Sequence, residues 1–159
     1  MPDIGAIMEI MRQAKVQMLR EGKHQWDETY PALEHIETDI LLGNGFVMES
    51  DLEIMAYGAV VYDGEPVYDH IYDGVWLSDD PYVVVHRLAV NDKFKRQGVA
   101  VTFMQEVSCQ AMEKGMVSFR VDTNFDNIYM QRIFSRLGFS YCGRICYQSG
   151  ERLAYQLIF

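Results

Sequence analysis

Long apolar runs, cysteine and positive charge are all scarce in this chain of 159 residues. No apolar stretch approaches the roughly 20 residues that span a bilayer, so no membrane helix is expected. The start, Met1-Pro2-Asp3-Ile4-Gly5, lacks the basic residues and apolar stretch of a secretion signal. Three cysteines, Cys109, Cys142 and Cys146, are an odd number and match no metal or redox spacing. Cys142 and Cys146, four apart on an expected strand, sit too far apart for a disulfide. Reduced thiols of a cytoplasmic protein are the expectation, with no bound metal. Lys and Arg number 14 against 23 Asp and Glu, a formal charge of −9. Non-specific nucleic-acid binding needs a basic footprint, and the charge argues against it. A cationic or amine partner is compatible with that charge.

What is present is the composition of an ordinary globular protein, 49% hydrophobic and 23% charged. The length suits one domain over 1–159, able to bury roughly 70% of the surface its unfolded form exposes. No repeat, linker or low-complexity stretch interrupts it. Ile7, Ile10, Met11, Ala14 and Met18 follow the spacing of a half-buried helix that Gly22 ends. A shorter helix is expected from Pro31 to Leu42, with Leu33, Ile36 and Ile40 inward and Gly43 closing it. The polar loop between them displays Trp26 and Tyr30.

The texture then changes. Phe46 to Met48 and Ile54 to Tyr62 read as strands, followed by turn signals at Asp63-Gly64, Asp73-Gly74 and Asp80-Pro81. Val83 to Val90 is the clearest strand, and a helix follows from Gly98 to Lys114. Val117 to Thr123 alternates. A helix capped by Asp126 or Asn127 carries Met130, Ile133, Phe134 and Leu137 inward and stops at Gly138. Phe139 to Tyr147 and Arg152 to Ile158 flank a hairpin turn. The order predicts a mixed α/β (α+β) domain with one central sheet.

Within this acidic chain, Lys93, Lys95 and Arg96 crowd in just before Gly98, where a strand feeds a helix. A helix start leaves backbone N–H groups unpaired and carries partial positive charge, so it attracts phosphate. Gly98 lets an anion approach the backbone closely, and Lys95 and Arg96 add charge. A solvated basic turn is the plainer alternative. Neither G-x-x-x-x-G-K-S/T nor G-x-G-x-x-G occurs in the chain.

The segment Arg87-Leu88-Ala89-Val90-Asn91-Asp92-Lys93-Phe94-Lys95-Arg96-Gln97-Gly98-Val99-Ala100 resembles the acetyl-CoA signature of the GNAT superfamily of N-acetyltransferases. That signature is a strand ending in an aliphatic triplet, then Q/R-x-x-G-x-G/A. The stretch from Asp122 through Asn127 to Leu137-Gly138-Phe139 is similar to the family's downstream motif. The likeness covers 54–159 well, and the first fifty residues in helical layout.

The resemblance implies a GNAT-like fold: a mixed, mostly antiparallel sheet with helices on both faces, its first strand missing or very short. It implies transfer of an acetyl group from acetyl-CoA to a primary amine of a small molecule, amino acid derivative or peptide. A non-catalytic acyl-CoA-binding module is the alternative. Leu88, Ala89 and Val90 would offer backbone groups to the pantetheine arm and the acetyl carbonyl. Lys95, Arg96, Gln97, Gly98, Val99, Ala100 and Val101 would wrap the pyrophosphate, and Asn127 would hydrogen-bond the cofactor near its thioester. Asn127 also reads as a plain helix cap. An absent first strand would leave a sheet edge open to a second copy of the chain.

Acetyl transfer needs a neutral amine, a polarised carbonyl and a tolerated leaving thiolate. Asp122 stands where some relatives carry an acidic base. It equally reads as a structural carboxylate pairing with Arg120 on the same strand face. Glu49, Glu53, His86 or a water chain are alternatives. The tyrosine that many members use as the acid is replaced here by Phe134. Tyr129 lies about 140° around the helix from it, leaving Tyr147 or solvent. Lys95 replaces the signature's first Gln or Arg. Trp26 and Tyr30, or the acidic Asp63, Glu65, Asp69 and Asp73, could line the amine cleft; equally, the loops are solvated and the aromatics core.

Overall fold

The periodic apolar residues at the start of the chain do form a helix, α1 (Ile4–Arg20), with Ile7, Ile10 and Met11 fully buried on one face. These positions come from a computed structural model that describes residues 3–51 and 53–159. α2 (Leu33–Leu41) is shorter than its apolar pattern suggested. Ile36 is buried, but Leu33 is exposed because the helix begins only there. Six strands follow in one sheet of order β1-β2-β3-β4-β6-β5. They are β1 (Gly45–Ser50), β2 (Glu53–Val61), β3 (Tyr82–Val90), β4 (Ser118–Thr123), β5 (Ser140–Tyr147) and β6 (Gly150–Ile158). α3 (Val99–Glu113) lies between β3 and β4 in the chain, and α4 (Ile128–Leu137) between β4 and β5.

β1–β2, β4–β6 and β5–β6 are antiparallel and β3–β4 is parallel, so the sheet is mixed, as the order of elements predicted. Among the described residues the chain opens on α1, which leaves β1 as one edge of the sheet. The parallel ladder pairs Tyr82, Val83 and Val84 with Ser118, Phe119 and Arg120. Beyond it, β3 runs on to Val90 and β4 to Thr123.

The chain packs as two compact units, and it passes between them after Val60, Val85 and Phe103. The first comprises Met1–Val60 with His86–Phe103, the second Val61–Val85 with Met104–Phe159. In the first, Ile7, Ile10, Met11, Trp26, Ile36, Ile54, Tyr57 and Ala89 form the core. In the second, Tyr68, Val84, Ile145 and Ala154 form a cluster, with Trp76, Tyr82 and Tyr147 packed against it. β4 is buried along nearly its whole length on both faces, which its alternating pattern understated.

The long connection from β2 to β3 belongs to the second unit and is tied down at several points. Tyr72 and Arg144 exchange backbone hydrogen bonds of 2.7 and 2.8 Å, which lays Tyr72 along β5. Arg120 is 4% exposed, although a guanidinium is normally solvated. It lies 4.3 Å from the Trp76 ring and 4.0 Å from the Tyr82 ring, and donates to the Ser78 carbonyl at 2.5 Å. Buried Gln156 accepts from Leu77 N at 2.7 Å and donates to Ser78 O and Ser118 Oγ. Burial lowers the Arg120 pKa, and the faces of two rings compensate part of its lost hydration.

Candidate active site

In the first unit, β3 ends in a turn that sets up the start of α3. Asn91 pins the strand end, its backbone N–H to Met55 O at 2.8 Å and its side chain to Ile54 O at 3.1 Å. The Asn91 side chain also accepts from Lys93 N, closing the short 3-10 turn Asp92–Phe94. Arg96 and Gly98 then both take positive φ, 62° and 81°. The chain therefore twists twice before the first helical bond, Thr102 N to Gly98 O at 3.0 Å. Alternating left- and right-handed residues turn successive N–H groups towards one point, the arrangement of an anion-binding nest. A Cβ placed on Gly98 meets nothing within 4 Å, so the space before the helix start is open. Arg96 is exposed and makes no ion pair among the described residues. Lys95 pairs with Asp92 and reaches Gln17, so its ammonium is partly committed. Open space at Gly98, a helix start behind it and an exposed guanidinium beside it make a turn able to take a pyrophosphate.

Just upstream, within β3, Arg87 takes φ 56°. A non-glycine residue in that region is uncommon and persists where its surroundings over-determine it. Here they do. Arg87 Nε donates to Asp39 Oδ2 at 2.8 Å, a second nitrogen meets Asp39 Oδ1, and Nη1 reaches Tyr30 Oη at 2.9 Å. Tyr57 Oη donates to the same Asp39 at 2.8 Å. Burial opposes the Arg87 charge, yet Asp39 and Tyr30 more than offset it and its pKa is raised. Tyr57 is raised too, by burial and then by the carboxylate. This fixed point lies immediately before Leu88, Ala89 and Val90, the residues expected to meet the pantetheine arm. The sequence reading missed Asp39, Tyr57 and the role of Arg87. A bidentate partner on a helix 48 positions away leaves no local signal.

In the second unit, Asp122 does not pair with Arg120. Two phenols hold it instead: Tyr68 Oη donates to Asp122 Oδ2 at 2.7 Å and Tyr147 Oη to the same oxygen at 2.8 Å. Tyr68 is fully buried, and burial followed by the neighbouring carboxylate pushes its pKa well up, so it stays a donor. The Tyr147 ring lies 5.8 Å from the Arg152 guanidinium carbon. Asn127 caps α4, its side-chain oxygen accepting from Met130 N at 3.3 Å. Phe134 is core, its ring 5.5 Å from Phe139 and 5.2 Å from Tyr155, whereas Tyr129 is exposed.

The remaining expected residues are scattered. Glu53 pairs with Lys93, Glu49 is exposed and His86 is half-buried in β3. Trp26 is 9% exposed within the first unit's core, which commits its ring to packing. Tyr30 is half-buried, bonded to Arg87 and edge-on to His35 at 5.0 Å. Of the acidic residues after β2, Asp73 pairs with Arg144, Glu65 caps a 3-10 turn at Val67 N, and Asp63 and Asp69 face solvent.

The model of the Acetyltransferase (GNAT) family matches residues 7–139. The chain belongs to the GNAT acetyltransferase family. A GNAT acetyltransferase structure from Streptococcus agalactiae is 37% identical with a TM-score of 0.90, covering 99% of this chain and 91% of the other. Two more distant structures share the fold alone. One is a ribosomal-protein-alanine N-acetyltransferase from Brucella melitensis, at 18% identity and a TM-score of 0.72 over 99% and 95% of the two chains. The other is an agmatine N-acetyltransferase, at 16% identity and 0.70 over 99% and 95%. No curated protein matches the sequence. The family resemblance, the mixed sheet and the acetyltransferase activity expected of the chain agree with this membership. Among the described residues no group of histidines, cysteines and carboxylates is placed to hold a metal, and no helix is long and apolar enough to cross a membrane.

Proposed function

We propose that this GNAT acetyltransferase moves an acetyl group from acetyl-CoA directly to a primary amine, with Asp122 taking up the proton that the amine gives up. The observation that carries the cofactor half is the doubly twisted turn at Arg96 and Gly98 opening onto the start of α3. The amides of Arg96 to Val101 and the Arg96 side chain hold the pyrophosphate, with Lys95 adding charge from its pair with Asp92. Acetyl-CoA, when bound, supplies the activated acetyl group. Leu88, Ala89 and Val90 orient its pantetheine arm through their backbone groups, kept in place by the buried Arg87–Asp39 pair. Asn127 keeps an amide nitrogen that capping α4 does not use, a donor for the cofactor.

An attacking nitrogen must shed a proton as it becomes an amide. Asp122 offers a carboxylate for it, and the net charge of −9 favours approach of a cationic acceptor. With Phe134 buried against aromatic rings and the Tyr147 hydroxyl donating to Asp122, the leaving sulfur takes its proton from water. The two distant relatives named above act on a ribosomal-protein alanine and on agmatine, so one fold serves a protein residue and a small guanidino amine. We infer a small amine or a peptide terminus here. Three free cysteines fit a reducing cytoplasm.

The test is thiol release from acetyl-CoA with a panel of agmatine, spermidine, tyramine and an alanine-ended peptide. Asp122→Asn should lower kcat at least tenfold on the fastest acceptor, in the range typical of a lost acid–base group. A rate unchanged across the pH range removes Asp122 from the proton path. Coenzyme A binding, measured by calorimetry, tests the cofactor half separately.

A further inference from the structure

Both phenols that reach Asp122 converge on one oxygen, Oδ2, from different parts of the second unit. Tyr147 stands at the end of β5. Tyr68 comes from the connection between β2 and β3, in the short 3-10 turn Pro66–Asp69. That turn is held in its own right: the Trp76 indole donates to Tyr68 O at 2.8 Å, Glu65 accepts from Val67 N, and Tyr82 Oη accepts from Glu65 N at 3.2 Å. The Tyr68 ring packs 5.2 Å from Trp76 and 6.2 Å from Tyr82. Tyr68 therefore has no freedom to leave the carboxylate. A carboxylate has room for about four donors. Two strong ones on Oδ2 fix both χ angles of Asp122 and leave Oδ1 as the oxygen that neither phenol uses.

We infer that Tyr68 and Tyr147 are positioning residues. They orient the Asp122 carboxylate so that Oδ1 receives an N–H of the acceptor amine, and the β2–β3 connection is thereby part of the acceptor site. This rests on the reading of Asp122 as the group that takes the proton. The balance is simple. The C–N bond forms as the thioester C–S bond breaks, and one N–H proton passes to Oδ1. Oδ2 becomes the carbonyl oxygen of the neutral acid, still accepting from both phenols. The leaving thiolate of coenzyme A takes a proton from water. A carboxylate so held needs no reorientation at the moment of transfer, the feature that makes fixed donors effective in catalysis.

A double-mutant cycle tests it, using acetyl-CoA and the fastest acceptor of the panel. Tyr147→Phe keeps the ring and its packing and removes only the donor. It should lower kcat about tenfold, as expected for one hydrogen bond to a charged group, with the KM for acetyl-CoA unchanged. In an Asp122→Asn background the same change should cost less than about twofold, because the group it positions no longer takes the proton. Tyr68→Phe should behave alike. If burial makes that variant unstable, Tyr147→Phe alone decides. Equal losses in both backgrounds overturn the inference while leaving Asp122 as the base. An Asp122→Asn enzyme with the full rate overturns the base reading and the positioning inference together, and the cofactor reading survives.

Discussion

Gly98 concentrates the cofactor argument in one residue. Its φ of 81° lies where a side chain is strained, and open space stands where a Cβ would go. A Glu there places a carboxylate at the mouth of the helix start and sets a negative charge against a negative ligand. Gly98→Glu should therefore raise the Kd for coenzyme A more than 100-fold, a loss of about 2.7 kcal/mol. The melting temperature should fall by only a few degrees, since the position packs against nothing. Calorimetric titration reads the first quantity and a thermal melt the second. Retained affinity would mean that the phosphates lie elsewhere. Arg87 presents the opposite case, a strained residue whose conformation is enforced by its side chain. Its backbone turns the strand just where the pantetheine-facing triplet begins, while Asp39, Tyr30 and Tyr57 absorb its charge in a buried site.

At the scale of elements, the connection between β2 and β3 distinguishes itself from an ordinary loop by how it is anchored. Gly74 is one anchor: a Cβ added to it would collide with the carbonyl oxygen of Cys142 on β5. Backbone cannot yield as a flexible side chain would, so Gly74→Ala should open the bridge between Tyr72 and Arg144. We expect it to cost about 1–3 kcal/mol, the range for overpacking, or roughly 3–10 °C in Tm. Amide exchange should quicken at Tyr72 and Arg144 before it does in β4. Unchanged protection there would show that the contact relaxes without loss.

The sequence shows the helices and strands within a residue or two because their apolar periods are local. It shows the phosphate loop because Gly98 and its basic neighbours are contiguous. It does not show Tyr68 on Asp122, 54 positions apart, or Arg87 on Asp39. Such pairs are set by which faces the fold brings together, and no spacing rule encodes them. The expectation of an Arg120–Asp122 pair failed for the same reason: Arg120 found two aromatic faces and the Ser78 carbonyl on the β2–β3 connection, whose course the local pattern left open.

For the molecule as a whole, the two buried phenols Tyr57 and Tyr68 make a prediction about alkaline stability. Each has its pKa raised, by burial first and by its carboxylate partner as well. Below about pH 10, the ordinary tyrosine value, both are protonated in the folded and unfolded chains and contribute their full stability. As the pH climbs past that value the unfolded chain loses these protons while the folded chain keeps them. The native state then binds more protons, and stability must fall with pH, by up to about 1.4 kcal/mol per pH unit for each phenol. The growing negative charge on a chain already at −9 acts in the same direction. Phenylalanine at either position removes one titrating group but not the general charge. Urea unfolding between pH 8 and 11 should thus give a steeper decline for the native sequence than for Tyr57→Phe or Tyr68→Phe, even where the variants start less stable at pH 8. Parallel declines would assign the whole effect to surface charge and show that the two hydroxyls titrate freely.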